Sequence, residues 1–470
     1  MDVRSKWERE MSVLIPDEIP EILKNTKGYS LLVKGSPGMG KSTFALTLMV
    51  EKANVNGFYI STRVKPDKLY EQFPWARKYV KMENIVDATD LVTGSGVDGT
   101  GLSSEGEFEF LKDIRSKVES ANDPTVIIDT WDAVHSSLGD SAVPAEKHIT
   151  DWPRKKNLTL VLVSEFMDTR VLEFMVDGVV TLMDSEIDGR RIREIRLDKL
   201  RECEIRNLRY VYTLKNGIFR RFPPLRLRPP KEKKPWIPFS DEKCPFYSGS
   251  PELDEAVGDG LHGGSMLIEI CNNVPYEWAN LLVRPFVLNF IAKDRGILMI
   301  PPIEAPAEQI RRDLTQYISE KKFDTYVTVF ANGMSSEALS YVLNTWGKSE
   351  DEEEKIWHQV QDEKRAESWG QMLRVINVDR LEHYYGMQRT LRKCATEISN
   401  ARLSDDLSVV ITRSTLESTQ SLRTMCDIDL KLIERYGAFY VYGEMPRTGL
   451  FNVEMEFSQG FPVPELTPVV

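Results

Sequence analysis

Tyr29-Ser-Leu-Leu-Val-Lys34, followed directly by Gly35-Ser-Pro-Gly-Met-Gly-Lys-Ser42, decides the fold of this chain. The first run has the apolar character of a buried strand, and the second matches G-x-x-x-x-G-K-[ST], the phosphate-binding loop that joins a strand to a helix. Its glycines let backbone N–H groups point at phosphate oxygens, and the helix that begins near Lys41 adds the positive end of its dipole. The stretch predicts a nucleoside triphosphate site; the alternative is a chance match on a surface turn.

The loop and the start of the following helix supply the predicted contacts to ATP and Mg²⁺. Lys41 is expected to reach the β and γ phosphates, and the Ser42 hydroxyl to take one coordination position on Mg²⁺. The second metal ligand is expected from Thr125-Val-Ile-Ile-Asp129, where a buried strand ends in a carboxylate, unless Asp129 merely begins a turn. The predicted nucleotide-binding residues of the loop are Gly35, Ser36, Pro37, Gly38, Met39, Gly40, Lys41, Ser42 and Thr43.

Two stretches carry a resemblance to a known family. Through Leu31-Leu-Val-Lys-Gly-Ser-Pro-Gly-Met-Gly-Lys-Ser42 and Tyr59-Ile-Ser-Thr-Arg-Val64 the chain resembles the KaiC-like branch of the RecA superfamily of ATPases. Within that branch it is similar to the archaeal group that includes the gas-vesicle regulator GvpD. The resemblance implies ATP and Mg²⁺ as cofactors. If it extends to role, it also implies a transcription activator or another regulatory protein as partner.

One departure from the family bears on mechanism. In KaiC-like proteins the strand after the loop helix ends in a Glu-Glu pair, one member of which polarises the attacking water; Arg63 and Val64 stand there instead. Arginine stays protonated and cannot act as a general base, so Arg63 is expected to neutralise phosphate charge. Asp132, and Glu165 after the apolar run Leu158–Ser164, are the candidates for orienting water. Hydrolysis is therefore predicted to be slow or absent, and a weak ATPase activity stays open.

A second family element lies at the end of the first domain. Asp198-Lys199-Leu200-Arg201 matches the Lys-x-Arg of KaiC-like ATPases. The resemblance implies that Lys199 and Arg201 reach across a subunit boundary to the γ-phosphate held by a neighbour, as an arginine finger does, which predicts a homo-oligomer. Because the segment 190–209 is heavily charged, a solvated edge strand is the alternative.

The second half of the chain repeats the first with a degenerate site. Gly264-Ser-Met-Leu-Ile-Glu-Ile270 repeats the approach to the loop, and in that register Cys271–Trp278 replaces Gly35–Ser42. The loop glycines are lost, and Glu277 stands at the place of Lys41. A glutamate repels phosphate, so this copy is not expected to bind ATP in the family mode.

Alternating apolar strands and longer amphipathic segments predict an α/β fold with two tandem RecA-like domains, each built on a mostly parallel sheet. The predicted domains are residues 1–222, which bind ATP, and 244–470, which are degenerate. A Pro-rich basic linker at 223–243 joins them, and its prolines favour an extended, stiff spacer. Val375-Ile-Asn-Val-Asp379 parallels the strand that ends in Asp129, which leaves Asp379 without a metal to hold.

Composition excludes several classes of protein. Hydrophobic residues make up 41% and charged residues 28% of the 470 residues, typical of a soluble globular chain. Without a membrane-length apolar run or a signal peptide, a cytoplasmic protein is expected. The 5 scattered cysteines, Cys244 among them, indicate neither disulfides nor zinc. A net charge of −11 argues against a DNA-coating protein, although the cluster Arg190–Arg196 leaves local contact with nucleic acid open.

Together these features favour a regulatory or scaffold protein in which Mg-ATP bound in the first domain controls oligomer or partner assembly. The alternative is an active RecA-like ATPase, either a remodelling ring or an accessory to DNA recombination and repair. A DNA-binding module is a third class, and it predicts affinity that falls steeply with salt.

Overall fold

The structure is a computed structural model, and it describes residues 14–51, 57–78, 80–89, 109–138, 142–227, 232–240, 246–248, 250–258, 263–331, 339–345, 348–457 and 459–470. The chain divides into two compact units, Met1–Pro223 with Val469–Val470, and Pro224–Pro468. Cys244 and parts of the predicted linker, residues 228–231 and 241–243, lie outside the described ranges.

The first unit is built on one sheet whose order, over the described residues, is β3-β2-β4-β5-β1-β6-β7-β8-β9. Its strands are β1 (Ser30–Gly35), β2 (Gly57–Ser61), β3 (Ile85–Asp87), β4 (Thr125–Asp129), β5 (Thr159–Ser164), β6 (Gly178–Ile187), β7 (Arg190–Leu200), β8 (Arg209–Thr213) and β9 (Arg220–Arg221). From β3 to β6 neighbouring strands are parallel, and β7 to β9 extend the sheet antiparallel. The helices are α1 (Glu18–Asn25), α2 (Lys41–Glu51), α3 (Pro66–Gln72), α4 (Glu109–Ser120), α5 (Trp131–Leu138), α6 (Ala142–Lys156) and α7 (Arg170–Met175).

Both faces of this sheet are covered, because the central strands are apolar on both sides. In β1, Leu31 and Val33 belong to one hydrophobic core and Leu32 to the core on the opposite face. Successive strand residues point to opposite faces, so a continuous apolar run requires helices above and below the sheet. The carboxyl ends of the parallel strands are thereby left as the open edge where a ligand can bind.

The second unit repeats this arrangement, with the order β13-β12-β11-β14-β15-β10-β16-β17-β18-β19 over its described residues. Its strands are β10 (Gly264–Ile270), β11 (Ile297–Ile300), β12 (Val327–Ala331), β13 (Val342–Asn344), β14 (Leu373–Asn377), β15 (Leu407–Arg413), β16 (Ile428–Arg435), β17 (Ala438–Met445), β18 (Phe451–Glu456) and β19 (Val463–Pro468). The helices are α8 (Pro251–Ala256), α9 (Tyr276–Ala292), α10 (Ala307–Leu314), α11 (Glu320–Tyr326), α12 (Glu350–Glu367), α13 (Val378–Leu403) and α14 (Thr419–Met425).

The two sheets share one topology. In each, the first strand lies between the last two parallel strands, and an antiparallel extension follows. This confirms the predicted α/β class with two tandem domains around mostly parallel sheets.

The Pro-rich stretch 223–243 is not a free spacer where the structure describes it. From Pro224 onward it belongs to the second unit, and its backbone is fixed there: the Leu225 N–H donates to the Gly437 carbonyl at 2.9 Å and the Trp236 N–H to the Tyr317 carbonyl at 2.7 Å. Trp236 itself is buried in the core of that unit. Burial of apolar side chains between the prolines holds these parts of the stretch against the second unit, and the linker bounds 223–243 stay a prediction.

No helix of the described residues is both long and apolar enough to cross a membrane.

Candidate functional site

The phosphate-binding loop lies where β1 ends and α2 begins, at the carboxyl edge of the first sheet. Gly38 and Gly40 have φ of 80° and 83°, a backbone region that favours glycine. At Gly40 a Cβ would also lie 2.7 Å from the Leu214 Cδ1 atom. Gly38 is therefore required by its conformation, and Gly40 by its conformation and by close packing.

Lys41 lies inside this loop. Its Nζ donates to the Gly35 carbonyl at 2.7 Å and to the Ser36 carbonyl at 2.9 Å. Burial lowers the pKa of Lys41, and the nearby carboxylates, Glu165 first, oppose that shift. A buried ammonium held at the mouth of a glycine loop is positioned to exchange carbonyl partners for phosphate oxygens.

Asp129 and Ser42 are brought together as the sequence predicts for metal ligands. The Ser42 hydroxyl hydrogen-bonds the Asp129 carboxylate, and the Tyr59 hydroxyl donates to the same carboxylate. Burial raises the pKa of Asp129, while these two hydrogen bonds and Lys41 act to lower it. A hydroxyl and a carboxylate in contact beside the phosphate loop fit Mg²⁺, which prefers oxygen ligands and is held in this way in P-loop proteins.

Arg63 and Glu165 face each other at the mouth of the site. Arg63 Nη1 lies 2.6 Å from Glu165 Oε1, and the same oxygen lies 4.0 Å from Lys41 Nζ. The Arg63 side chain is 49% exposed, whereas that of Glu165 is 23% exposed. A carboxylate thus lies between two cations that would otherwise face a terminal phosphate.

Asp132 is engaged in holding the end of β5. Its carboxylate accepts a 2.6 Å hydrogen bond from the Ser164 hydroxyl and a second one from the backbone N–H of Glu165. The residue is 5% exposed. These contacts give Asp132 a positioning role for Glu165, and its part in orienting water stays a prediction.

Lys199 and Arg201 lie at the opposite edge of the sheet from the loop. Lys199 Nζ donates to the Val176 carbonyl at 2.6 Å, and Arg201 Nη1 to Asp177 Oδ1 at 3.3 Å. Asp177 also binds Ser30 at the beginning of β1, whereas the loop follows the end of that strand roughly 17 Å away at strand spacing. The two cations therefore do not serve the site of their own unit, and a role toward a neighbouring subunit stays a prediction.

Two supports of the loop were missed by the sequence analysis. Arg193, on β7, donates from Nη1 to the Gly38 carbonyl at 2.8 Å, and the Tyr212 hydroxyl, on β8, donates to the Met39 carbonyl at 2.6 Å. Both come from the antiparallel extension, far along the chain from the loop. The spacing of Arg191 and Arg193 places both side chains on one face of a strand, but the sequence does not indicate which loop that face contacts.

A hydrogen-bonded Ser–Asp pair that occurs in both units shows how the degenerate site of the second unit aligns with the site of the first. Ser30 exchanges side-chain and backbone hydrogen bonds with Asp177, and Ser265 does the same with Asp427. With Ser265 as the counterpart of Ser30, the first residue of α9, Tyr276, corresponds to the first residue of α2. The predicted register was therefore wrong by one residue, and Tyr276, not Glu277, stands at the place of Lys41.

The same correction applies to the metal strand. In the first sheet Val163 pairs with both Val33 and Asp129; in the second, Ile411 pairs with Ile268 and Asn377. The counterpart of Asp129 is thus Asn377, while Asp379 lies in the first turn of α13. A neutral amide cannot supply the charge of a metal-binding carboxylate, and burial raises the pKa of the Tyr276 hydroxyl that hydrogen-bonds this amide.

Comparison with known proteins agrees with the geometry of the first unit. Residues 19–198 match the family model described as "GvpD gas vesicle protein, P-loop domain". Two relatives from Halobacterium salinarum align over nearly full length. Protein GvpD2 is 28% identical, with 97% of this chain and 96% of the relative covered, and Protein GvpD1 is 25% identical, with 97% of each covered. Over residues 19–198 the first unit is therefore similar to the P-loop domain of GvpD gas vesicle proteins, and the stretch from Gly35 to Ser42 lies inside that match.

Proposed function

We propose that this chain is a nucleotide-dependent regulatory or scaffold protein, in which Mg-ATP bound in the first unit controls oligomer or partner assembly and is hydrolysed slowly or not at all. The observation that carries the proposal is that the residues expected to bind Mg-ATP are all present, whereas the acid expected to activate water is not. Lys41, Ser42 and Asp129 converge on the loop, whereas Arg63 occupies the position of the expected acid.

Binding of ATP and Mg²⁺ is supported by the charges at the loop. Lys41 is the buried cation of the site and Arg63 the exposed one, and both lie within ion-pair distance of Glu165. A triphosphate replaces one carboxylate with a more highly charged anion, so the exchange favours the nucleotide. Mg²⁺ bound between Ser42 and Asp129 would neutralise part of the phosphate charge.

Slow hydrolysis is supported by the state of the acids. A general base must have a free carboxylate within reach of the attacking water. Asp132 already accepts hydrogen bonds from the end of β5, and Glu165 is paired with Arg63. The arginine cannot take a proton itself.

Control of assembly is supported by the edge that carries Lys199 and Arg201. Lys199 caps the carboxyl end of α7, and that helix exposes Val171 and Phe174, the latter with 80% of its surface accessible. Large exposed apolar side chains are typical of a protein contact surface. We place the neighbouring subunit of a homo-oligomer there, with the cations directed toward its γ-phosphate.

The kinship with GvpD proteins suggests the kind of partner. The matching family model is described as a gas vesicle protein, and we infer a role in regulation through another protein, for which a transcription regulator is our first candidate. The KaiC-like ancestry and a cytoplasmic location belong to the same proposal. Nucleic acid is not required by it.

The position of Glu165 favours one alternative, an active RecA-like ATPase working as a remodelling ring or recombination accessory. Its carboxylate lies 4.0 Å from Lys41, close to where a terminal phosphate binds, and would orient water if Arg63 turned away.

The test measures binding and turnover on the same preparation. Titration with ATP and Mg²⁺ is expected to saturate at one nucleotide per chain, and Lys41→Ala to abolish it. Phosphate release is expected far below the roughly 1–10³ s⁻¹ of ordinary enzymes. Lack of ATP binding contradicts the proposal, and turnover near one per second that Glu165→Ala abolishes selects the ATPase.

A further inference from the structure

The second unit contains a cavity of about 610 Å³ at the carboxyl edge of its sheet. Its wall begins at Tyr276, the counterpart of Lys41, and continues along α9 to α10 and the turn that follows it. In folds of this type the carboxyl edge is where ligands bind, and pockets of roughly 300–1,000 Å³ hold small molecules. The unit has lost the phosphate loop and kept a cavity of ligand size.

Three hydrogen-bond donors face this cavity. Asn280 and Arg284 lie one turn apart on the same side of α9, and Tyr317 lies across from them. Within the part of the chain that the structure describes, their side chains make no hydrogen bond or ion pair, and Tyr317 is only 7% exposed. Burial lowers the pKa of the Arg284 guanidinium. A cation flanked by two further donors that face the same cavity is suited to an anionic group of a ligand.

The remaining charges of the wall define the rest of the ligand. Arg413 lies 3.7 Å from Glu304, so that pair is largely compensated. Among the described residues, Asp313 and Glu277 have no cationic partner, and Asp313 acts electrostatically on Arg284 from beyond ion-pair distance. Two such carboxylates repel a polyphosphate and attract ammonium or guanidinium groups.

The spacing of these groups sets the length of the ligand. Asp313 acts electrostatically on Arg284 and lines the same cavity, so it can attract the ammonium of a molecule whose carboxylate binds the guanidinium. Glu277 lies seven residues before Arg284 on α9, roughly 10 Å along the helix axis. A side chain that carries a second positive charge spans that distance.

We propose that the second unit binds a basic α-amino acid in this cavity, with its carboxylate on Arg284, Asn280 and Tyr317, its α-ammonium at Asp313 and its side-chain cation at Glu277. The site is separate from the nucleotide site, and it gives the degenerate unit a ligand-binding function of its own. The bound amino acid supplies the counter-charges that the cavity wall lacks.

The experiment is a calorimetric and thermal-unfolding titration of the full chain carrying Lys41→Ala, which removes nucleotide binding to the first unit. The probes are L-arginine, L-lysine, L-leucine, L-glutamate, inorganic phosphate and ATP. We expect saturable binding of L-arginine and L-lysine, weaker binding of L-leucine, and none of the other three. At a hundredfold excess over Kd the unfolding temperature of the second unit should rise by about 5 °C.

Variants separate a binding role from a structural one. Arg284→Met should weaken L-arginine binding at least tenfold, the loss of one charge-assisted contact, and leave the ligand-free protein as stable as before or more so. Tyr317→Phe should cost several-fold, and Glu277→Gln should lower affinity for L-arginine without changing that for L-leucine. Arg312→Met, the same change at an exposed arginine of α10 outside the cavity, is the matched control and should alter nothing.

Three results overturn the proposal. They are the lack of saturable binding by either basic amino acid, preference for L-glutamate, phosphate or ATP, and unchanged L-arginine affinity in Arg284→Met. Because nucleotide binding to the first unit is silenced, these results are independent of whether that unit binds ATP.

Discussion

Replacing Glu165 with glutamine tests the arrangement of charge around the phosphate loop. The carboxylate lies 2.6 Å from Arg63 Nη1 and 4.0 Å from Lys41 Nζ, so it occupies the two cations that a terminal phosphate requires. Glutamine keeps the shape and removes the negative charge. ATP should therefore bind the Glu165→Gln protein more tightly than the wild type.

The size of the effect follows from Coulomb's law. The side chain is 23% exposed, so an effective dielectric constant of about 40 is appropriate, between values for a protein surface and for water. The Glu165 carboxylate and one unit charge of the terminal phosphate, about 6 Å apart, then repel each other by roughly 1.4 kcal/mol, which corresponds to about tenfold in affinity. ADP lacks the phosphate closest to Glu165 and should gain less than threefold.

Isothermal titration of ATP and ADP measures this difference, and phosphate release from the same samples measures turnover. Glu83→Gln, at an exposed carboxylate away from the loop, is the control. Arg63→Ala should weaken ATP binding by a similar factor, and the double variant should return close to the wild-type affinity because both charges of the pair are gone.

Weaker ATP binding in Glu165→Gln would refute this reasoning. An equal gain for ATP and ADP would also refute it, since the carboxylate would then act on another part of the nucleotide. If binding stays unchanged and phosphate release falls at least a hundredfold, Glu165 is a catalytic base and the ATPase alternative holds.

Three further predictions concern the loop and the second unit. Gly40→Ala should weaken ATP binding at least tenfold in a nucleotide titration, because its φ of 83° costs an alanine about 1–2 kcal/mol and its Cβ would lie 2.7 Å from Leu214. Arg374→Met should lower the free energy of unfolding by about 3–5 kcal/mol in urea, since the guanidinium is 0% exposed and its loss removes the ion-pair partner of the buried Glu397 carboxylate, 3.0 Å away. Burial raises the pKa of Asp254 from 3.8 to about 6, so the folded state favours the protonated carboxyl. Because the unfolded chain releases this proton at lower pH, the free energy of unfolding should fall by about 2–3 kcal/mol as pH rises from 4 to 6. Denaturation at several pH values should show this slope in the wild type and not in Asp254→Asn. Unchanged stability in Arg374→Met, or an unchanged pH slope in Asp254→Asn, would contradict the corresponding burial argument.

Local patterns were sufficient to predict the first unit and its loop. A strand, a glycine loop and a helix follow each other directly in the sequence from Ser30 to Glu51, so their chemistry is readable without knowing the fold. Asp129 could be found because it ends an apolar run, and parallel strands align their carboxyl ends at one edge. Contacts that join distant segments, such as Arg193 with Gly38, leave no such pattern.

The register of the repeat was wrong for an identifiable reason. The sequence offers two adjacent glycines, Gly263 and Gly264, and either can be matched to Gly28. In the structure Gly28 has φ of 71° and Gly263 has φ of 30°, and both pack tightly against the backbone that precedes the neighbouring strand. This packing identifies the equivalent glycine, in agreement with the Ser30–Asp177 and Ser265–Asp427 pairs, and it puts Tyr276 in the place of Lys41.

The cavity beside Arg284 was also invisible in the sequence. Its donors lie on α9 and after α10, and nothing in their spacing distinguishes them from an ordinary amphipathic surface. They are distinguished by facing one cavity without partners among the described residues, which depends on how the helices pack over the sheet. A degenerate loop in a sequence indicates that one ligand is no longer bound, but it does not indicate whether another ligand binds instead.

The most direct test is to incubate the purified chain with Mg²⁺ and labelled ATP, separate bound from free nucleotide after an hour, and identify what is bound. The account predicts close to one nucleotide per chain, recovered mainly as ATP, and none in Lys41→Ala. Conversion of ATP to ADP and phosphate at a rate near one per second during the incubation would contradict it. The absence of any retained nucleotide would also contradict it.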